Sequence, residues 1–427
     1  MASALSPYGS ILERLELMPT AVLGYGVTGR AISAFLGRRG IPHKIFDRNE
    51  KFLPLGVAND FCASGDEFVL HSPGFVGSSW LRDARRRGCI VMGELDYGHL
   101  HCERARTIAV TGTLGKTSTA MALVHALGAL GERCVLSGNV GNPFIGFVDE
   151  LARDRDLWNV CEVSSFQACD IEYFSPDYVL WTNFSENHLD VHCSMENYWS
   201  AKWRLLNRCR RIAYVGEDVA VAARSFGLQL PPFASLPREF LGAAAGEDHP
   251  MAHQRANLAL VRSLLCAIGF DFSAVNAAMV GFQTPRHRLQ MCRSIGSVEI
   301  WNDSKATTAA ATMAALRHVV GAEKMPCLWL CCGRSKGENL ENFRLAVDIA
   351  SEVLCFGEIA GQMAEFFGEK IGLLANGVDP FSVIGDFIGR QRDRAAVVFS
   401  PGFTSFDSFS SYAERGAWFC DGIAKLQ

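Results

Sequence analysis

Short apolar, β-branched runs alternate along the chain with stretches whose apolar positions recur every three or four residues. That alternation is the pattern of parallel α/β units, in which buried strands read as near-continuous apolar runs and the crossovers as amphipathic helices. Three blocks follow one another. In the first, AVLGYG (21–26) predicts a strand and Thr28 to Arg39 a helix, and HKIFD (43–47), EFVLHSPG and CIVMGE predict further strands. The second opens with RTIAVTGT (106–113), a strand running into a glycine turn and then a helix through Leu130. CVLSGN, NVCEVSS, YVLWTN and RIAYVG supply more strands to about residue 216. Between 217 and 252 the composition turns to Ala, Gly, Pro and acids and predicts a loop-rich surface section; helices from about His253 to Ile268 and near 273–279 close the block. The third block starts near residue 284 with a hairpin, RLQMCRSIGSVEIWNDS, turning at Ile295-Gly296-Ser297. CLWLCCG, EVLCFG and AAVVFSPG then read as buried strands separated by helices, and no internal repeat or low-complexity segment interrupts them.

A length of 427 residues exceeds one typical domain, so two or three are expected. The net charge of −4 gives no basis for a nucleic acid or an acidic membrane surface as partner, and any anionic substrate must be held by local basic groups and backbone amides. The N-terminal stretch has no basic region followed by an apolar core, and no segment approaches the length needed to span a bilayer. A cytoplasmic location with no membrane partner is therefore expected. The fifteen cysteines are scattered without a CxxC pair, which favours reduced thiols over a disulfide framework or a zinc site.

The strongest local signal is Thr111-Gly112-Thr113-Leu114-Gly115-Lys116-Thr117-Ser118, at the end of an apolar strand and the start of a helix. Glycines let successive backbone N–H groups point into one concavity, and the helix N-terminus adds positive partial charge there. Lys116 would reach β- and γ-phosphates and the Thr117 hydroxyl would ligate Mg²⁺. The spacing Gly-x-x-Gly-Lys-Thr is two residues shorter between glycines than the general phosphate-loop pattern.

Gly24-Tyr25-Gly26-Val27-Thr28-Gly29 also joins a strand to a helix, and Asp47 ends the next strand. Alone this is a dinucleotide-type fingerprint, yet the same geometry can hold the diphosphate of a UDP-sugar with Asp47 or Arg48 near the nucleotide. A second loop, His71-Ser72-Pro73-Gly74, is expected at the same sheet edge. Glu162-Val163-Ser164-Ser165 and Thr182-Asn183-Phe184-Ser185-Glu186-Asn187-His188 end two strands of the phosphate-loop block, so their C-terminal ends should face one crevice. Mg²⁺ takes hard oxygen ligands shared with substrate phosphates, which makes Glu162 a candidate carboxylate ligand and His188 a candidate ligand of a second ion. Lys202, among Trp199 and Trp203 on a predicted helix, reads from composition alone as a solvated lysine.

The order of motifs resembles the Mur ligase superfamily over nearly the whole chain: TGTLGKTS, GNVGNPF (138–144), EVSSFQ, TNFSENHLD, the AKWR lysine and AHQRAN (252–257). Pro285-Arg286-His287-Arg288, Asn302-Asp303-Ser304-Lys305-Ala306-Thr307, Cys332-Gly333-Arg334-Ser335-Lys336-Gly337 and Ser400-Pro401-Gly402-Phe403-Thr404-Ser405 look like its D-glutamate-adding branch. The resemblance implies three α/β domains: a Rossmann-like N-terminal UDP-binding domain over 1–103, a central P-loop ATPase-type domain over 104–283, and a C-terminal Rossmann-like domain over 284–427 that closes over the site. It implies a monomer that uses ATP to ligate D-glutamate to UDP-N-acetylmuramoyl-L-alanine through an acyl phosphate, in peptidoglycan precursor synthesis. Matched by position, Gly112, Thr113, Gly115, Lys116, Thr117 and Ser118 would hold ATP phosphates. Asn257 would bind adenine, and Arg288 and Asp303 the ribose. Thr117, Glu162, His188 and Lys202 would serve two Mg²⁺ ions, Lys202 as a CO₂-derived carbamate. Gly26, Val27, Thr28, Asp47, Arg48, Ser72, Pro73 and Gly74 would face the UDP substrate, and Asn139 the muramoyl part of it or the ATP phosphates. Lys305 would approach the γ-phosphate, and Thr307, Lys336, Ser405 and Tyr412 would surround D-glutamate. Leu114 stands where the family usually has Asn, Gln254 replaces the commoner Asn, and Gly402-Phe403-Thr404 is bulkier than usual, which bears on nucleotide affinity and closure. Another amino-acid ligase of the superfamily, a regulatory nucleotide binder and an NAD-dependent oxidoreductase are the rival readings.

Overall fold

The computed structural model describes residues 8–185, 189–237, 252–282, 286–320, 325–335, 337–374 and 378–426. His188 and Lys336, and the segment 238–251, lie outside these. The chain divides into two compact units, Met1–Phe282 and Gln283–Gln427.

The first unit carries two parallel sheets. One is built from β1 (Thr20–Leu23), β2 (His43–Phe46), β3 (Phe68–His71) and β4 (Ile90–Gly93) in the order β2-β1-β3-β4. The other is built from β5 (Arg106–Thr111), β6 (Cys134–Gly138), β7 (Trp158–Glu162), β8 (Tyr178–Trp181), β9 (Ile212–Val215) and β10 (Ala234–Ser235) in the order β10-β9-β8-β5-β7-β6. Chain direction across this sheet reverses at β5, whose Val110 is level with Glu162 of β7 and Leu180 of β8. A crevice beyond the C-terminal ends of these strands is the topological switch point of the sheet. The strands are buried on both faces, which is why their sequences read as continuous apolar runs. One buried cluster runs from Val22, Phe35 and Leu70 through Tyr97, Phe144 and Phe174 to Trp181, so the two sheets share a core. Leu123, Leu127, Val261 and Leu264 cover the other face of the second sheet.

Buried carboxylates fasten the sheets together. The helix Glu94–His101 starts directly after β4, and Asp96 accepts the backbone N–H groups of Glu172, Tyr173 and Phe174 at 2.7, 3.0 and 2.8 Å. Glu94, 2% exposed, accepts Ile145 N–H at 3.1 Å and the Gln167 amide at 3.3 Å. Gln167 in turn closes a capping box with Ser164 at the start of the helix Ser165–Ala168.

The second unit has β11 (Gln290–Ile295), β12 (Val298–Asn302), β13 (Cys327–Cys332), β14 (Glu352–Phe356), β15 (Gly372–Leu373) and β16 (Ala395–Gly402) in the order β11-β12-β16-β13-β14-β15. The expected hairpin is present: β11 and β12 pair antiparallel, with Gly296 at φ +57 in the turn and a bulge at Cys292. Ile300, Leu330, Val397 and Phe399 pack under Phe419 and Ile423 of the last helix.

Three expectations are corrected. The section 217–252 is not all loop: Glu217–Ser225 forms a helix with Val219, Ala220 and Ala223 buried, and Ala234–Ser235 adds β10. A nine-residue helix built on alanines has too short an apolar stripe to stand out in sequence. Lys202 is not solvated: only 1% is exposed, because its helix packs Tyr198, Trp199, Leu205 and Leu206 inward on the same turns. AVLGYG ends as a strand at Leu23, since Gly24 takes φ +99. Among the described residues no helix is long and apolar enough to cross a membrane, and all fifteen cysteines are free.

Burial raises the Glu94 carboxyl to about 7 from its ordinary 4.5, against hydrogen bonds from Ile145, Gln167 and Phe144 that favour the anion. The folded state therefore holds a proton that the unfolded chain releases between pH 4.5 and 7, so this group's contribution to stability falls as pH rises through that window. A shift of that size corresponds to about 3 kcal/mol. Urea unfolding across pH 4.5–7 should show Glu94→Gln losing up to ~1.4 kcal/mol per pH unit of this downward slope; an unchanged slope would contradict the assignment.

Candidate active site

At the end of β5 the chain turns sharply at Gly112 and enters the helix Lys116–Ala129 through Gly115. Both glycines are required. A Cβ on Gly112 would lie 1.9 Å from the Thr182 hydroxyl, and one on Gly115, at φ +76, would lie 2.3 Å from Asn257 Nδ2. The loop is held from outside by the end of β8. Asn183 accepts Leu114 N–H at 2.8 Å and donates to Leu114 O at 3.0 Å, while the Thr182 hydroxyl donates to the same carbonyl at 2.6 Å. Thr113 N–H reaches Asn183 O at 3.1 Å, and its hydroxyl lies 3.0 Å from the Tyr198 hydroxyl. The main chain at Leu114 is thus pinned whatever its side chain.

Around this loop the structure gathers Lys116, Thr117, Asn139, Glu162, Lys202 and Asn257. Lys116 Nζ donates to the carbonyls of Gly112 and Thr113 at 3.1 and 2.9 Å. The Thr117 hydroxyl donates to Glu162 Oε2 at 2.5 Å, and Asn139 Nδ2 donates to Oε1 at 2.9 Å. Glu162 is 2% exposed, so both carboxylate oxygens are oriented from within the fold. Lys202 Nζ donates to Gly112 O at 2.8 Å and Thr111 Oγ1 at 3.2 Å. Burial, then the neighbouring Lys116 charge, hold the Lys202 amine well below the ordinary lysine range. Ser118 follows Thr117 in the same helix, half-buried. His188, expected beside this group, lies outside the described residues.

The second glycine loop packs on the Ser72 loop. A Cβ at Gly24 would meet Ser72 Oγ at 2.7 Å, and one at Gly29 would meet Gly24 O at 1.6 Å. Gly26 caps the helix Val27–Arg38, leaving Val27 exposed and Thr28 half-buried. Asp47 accepts Tyr25 N–H at 2.6 Å and Asn49 N–H at 2.8 Å, fixing the loop from the end of β2. Arg48 lies over the Phe75 and Trp80 rings and donates to Ser79. Ser72 Oγ is buried without a hydrogen-bond partner, while Gly74 is exposed. Pro73 lines a pocket of about 270 Å³, open to solvent, together with His71, Glu94, Gln167 and Asp170.

In the second unit, Asp303 turns inward: it accepts Leu289 N–H at 2.9 Å and the Ser400 hydroxyl at 3.1 Å, and burial raises its carboxyl to about 7. Arg288, half-buried and next in sequence to Leu289, draws that carboxyl back toward ionisation. Lys305 Nζ stands 3.8 Å above the Tyr412 ring, a cation–π contact. Thr307 is half-buried, Ser405 buried, and Lys336 lies outside the described residues. Sequence reading passed over four residues that shape these sites: Thr182, Asn183, Tyr198 and Arg415. The first two were quoted within a strand-end motif but carried no role; Tyr198 and Arg415 sit on amphipathic helices, where nothing distinguishes an inward polar group.

The comparisons with known proteins follow this geometry. The Mur ligase middle domain matches residues 110–226, the stretch that holds the phosphate loop, Glu162 and Lys202. A protein of Solibacter usitatus named UDP-N-acetylmuramoylalanine–D-glutamate ligase is 30% identical over 445 residues, covering 95% of this chain and 97% of the relative. The chain belongs to the Mur ligase superfamily. Two solved Mur ligase structures have the same fold. The UDP-N-acetylmuramate-alanine ligase of Thermotoga maritima gives a TM-score of 0.54 at 17% identity, covering 96% of this chain and 100% of that one. A MurF ligase of Thermotoga maritima in complex with ADP gives 0.54 at 15% identity, covering 90% and 96%. At Leu114 the bonds from Thr182 and Asn183 all run to the main chain.

Gly115→Ala should cost ~1–2 kcal/mol for a left-handed non-glycine residue, with the displacement of Asn257 in addition. The check is the urea midpoint at unchanged m-value; a variant as stable as the parent would show that the loop relaxes freely.

Proposed function

We propose that the chain is an ATP-dependent ligase that joins D-glutamate to UDP-N-acetylmuramoyl-L-alanine in cytoplasmic peptidoglycan precursor synthesis. The observation that carries the reading is the crevice at the end of β5, where a glycine loop, a lysine, a buried carboxylate and a buried amine converge. The relative's printed name and the Asn302–Thr307 run support the choice of substrate. In this reading 1–103 binds the UDP-sugar, 104–283 binds ATP, and 284–427 carries the amino-acid pocket.

The groups present fit the implied ions. Thr117 and Glu162 offer hard oxygens beside the phosphate loop, the donor type Mg²⁺ takes. Lys202, held toward its neutral form, is the nucleophile that CO₂ needs, and its carbamate would be an anion next to the Lys116 cation. Thr117 and Glu162 would hold one Mg²⁺, and carbamylated Lys202 with His188 a second. Bound Mg²⁺ supplies positive charge against the oxygens of the transferring phosphoryl group.

Lys116 would leave the Gly112 and Thr113 carbonyls for β- and γ-phosphate oxygens, exchanging neutral acceptors for charged ones. Gly112 to Ser118 would present main-chain N–H groups and a helix N-terminus to the same phosphates. Asn257, against Gly115, would hold adenine; Arg288 and Asp303 would hold ribose. Gly26, Val27, Thr28, Asp47, Arg48 and Ser72 to Gly74 would hold the UDP-sugar, Ser72 with its unpartnered hydroxyl, and Asn139 would orient it. The γ-phosphoryl group passes to the alanyl carboxylate, giving an acyl phosphate and ADP, with Lys305 neutralising charge. The D-glutamate amine, held with Thr307, Lys336, Ser405 and Tyr412, displaces phosphate to form the amide and gives up a proton.

Mass spectrometry of reactions with ATP, Mg²⁺ and UDP-N-acetylmuramoyl-L-alanine should show an amide with D-glutamate and none with L-glutamate, L-lysine or meso-diaminopimelate. Product with another amino acid would reassign the substrate, and full amide synthesis by Lys116→Ala would remove that lysine from phosphoryl transfer. With ¹³C-bicarbonate, NMR should detect a carbamate carbon that is missing in Lys202→Ala. A parent protein without that resonance would rule out the carbamate.

A further inference from the structure

Arg415 lies in the helix Tyr412–Ala424 and is 0% exposed. None of its hydrogen bonds goes to a carboxylate. Nε donates to Ser304 Oγ at 3.1 Å, Nη2 to Ser304 O at 2.9 Å and Phe403 O at 3.0 Å, and Nη1 to Cys332 O at 3.4 Å. A guanidinium keeps its charge even there; the Asp407 carboxylate favours that charge through space without hydrogen-bonding to it, and burial still makes the position costlier than an apolar residue of the same volume would be. What the arginine adds is a rigid planar fork of donors, which fixes the relative positions of the carbonyls it joins.

Those carbonyls belong to the C-terminal ends of three adjacent strands, β12, β16 and β13. Ser304 opens the turn that carries Lys305 and Thr307, Cys332 ends the strand before Gly333-Arg334-Ser335, and Phe403 precedes Ser405 by two residues. The Ser304 hydroxyl also donates to Tyr412 O at 2.8 Å, returning the link to the start of Arg415's own helix. The loops close tightly on the guanidinium: Gly333, at φ +124, leaves room for no Cβ, which would lie 2.2 Å from Thr404 O and 3.0 Å from Arg415 Nη1. In parallel sheets the region beyond these strand ends is where ligands bind.

We propose that Arg415 is a positioning residue that sets the spacing of the three loops presenting Lys305, Thr307, Ser405 and Tyr412, and so shapes the pocket for the amino-acid acceptor. The identity of the acceptor rests on the function proposed above; the assembly of the loops does not.

The test uses Arg415→Met, similar in length without donors, and Arg415→Lys, which keeps the charge but loses the fork. In steady-state assays both should raise the KM for D-glutamate roughly tenfold or more, the equivalent of one lost good hydrogen-bonded contact, with the KM for UDP-N-acetylmuramoyl-L-alanine unchanged. A fall in kcat with every KM unchanged would mean that the arginine only maintains the folded fraction, and would overturn the proposal. If Arg415→Met does not fold, Arg415→Lys decides alone. Hydrogen exchange supplies a readout independent of the reaction. Amides of 304–307, 333–335 and 404–405 should lose protection together while β14 keeps its own; loosening of one loop only, or of the whole unit, would overturn the proposal. Should the parent protein form no amide with any amino acid, the ligase reading fails, and the exchange measurement still decides the role of Arg415.

Discussion

Two lysine nitrogens share one carbonyl oxygen: Lys116 and Lys202 both donate to Gly112 O, at 3.1 and 2.8 Å. Burial first, and then the charge of Lys116, disfavour the ammonium form of Lys202, the more buried of the two. The helix Met195–Asn207 cannot move its lysine away, because Tyr198, Trp199, Leu205 and Leu206 anchor it. The loop is held as well, since Thr182 and Asn183 bond to the main chain of Thr113 and Leu114 directly after Gly112. The site therefore sets a half-buried amine beside a fully buried one that burial, and then its neighbour's charge, hold well below the ordinary lysine range. In the function proposed above, the more exposed amine is the one assigned to phosphate and the buried one to a modification that reverses its charge.

A second regularity is how this fold treats charge in its interior. Asp96 hydrogen-bonds to three main-chain N–H groups and Arg415 to main-chain carbonyls and a hydroxyl, while the opposite charges nearby, Arg208 and Asp407, act through space. A side chain bonded to backbone fixes the path of the chain, whereas an ion pair between side chains fixes only two mobile tips. Each of these residues joins segments far apart in sequence, between the two sheets of the first unit or among three loops of the second.

The sequence was a good guide where one local pattern sufficed. Strands β1 to β9, β11 to β14 and β16 match the runs read from apolar periodicity, β1 and β7 starting one residue before theirs, and the glycine turn at 112–115 is where the strand, glycines and Lys116 put it. It failed where the answer depends on what a residue meets. The helix Glu217–Ser225 is too short and too rich in alanine to declare an apolar stripe, and β10 has only two residues. Lys202 and Arg415 look like solvent-facing positions on amphipathic helices because carbonyls they reach, Gly112 O and Ser304 O, lie 90 and 111 residues away in the chain. Asn257 needed the family pattern, since its contact with Gly115 joins two helices whose sequences say nothing of each other.

The strand order of the second unit has a consequence for how that unit is made. β16 is last in sequence but third in space, inserted between β12 and β13. Until residues 395–402 are available, the hairpin and the β13–β14 pair have nothing to join them, and each presents an open edge to other chains. Contacts of such long sequence separation form slowly. On the ribosome this unit would stay in two exposed halves until its final strand emerged, which marks it as the part of the protein with most to gain from a chaperone.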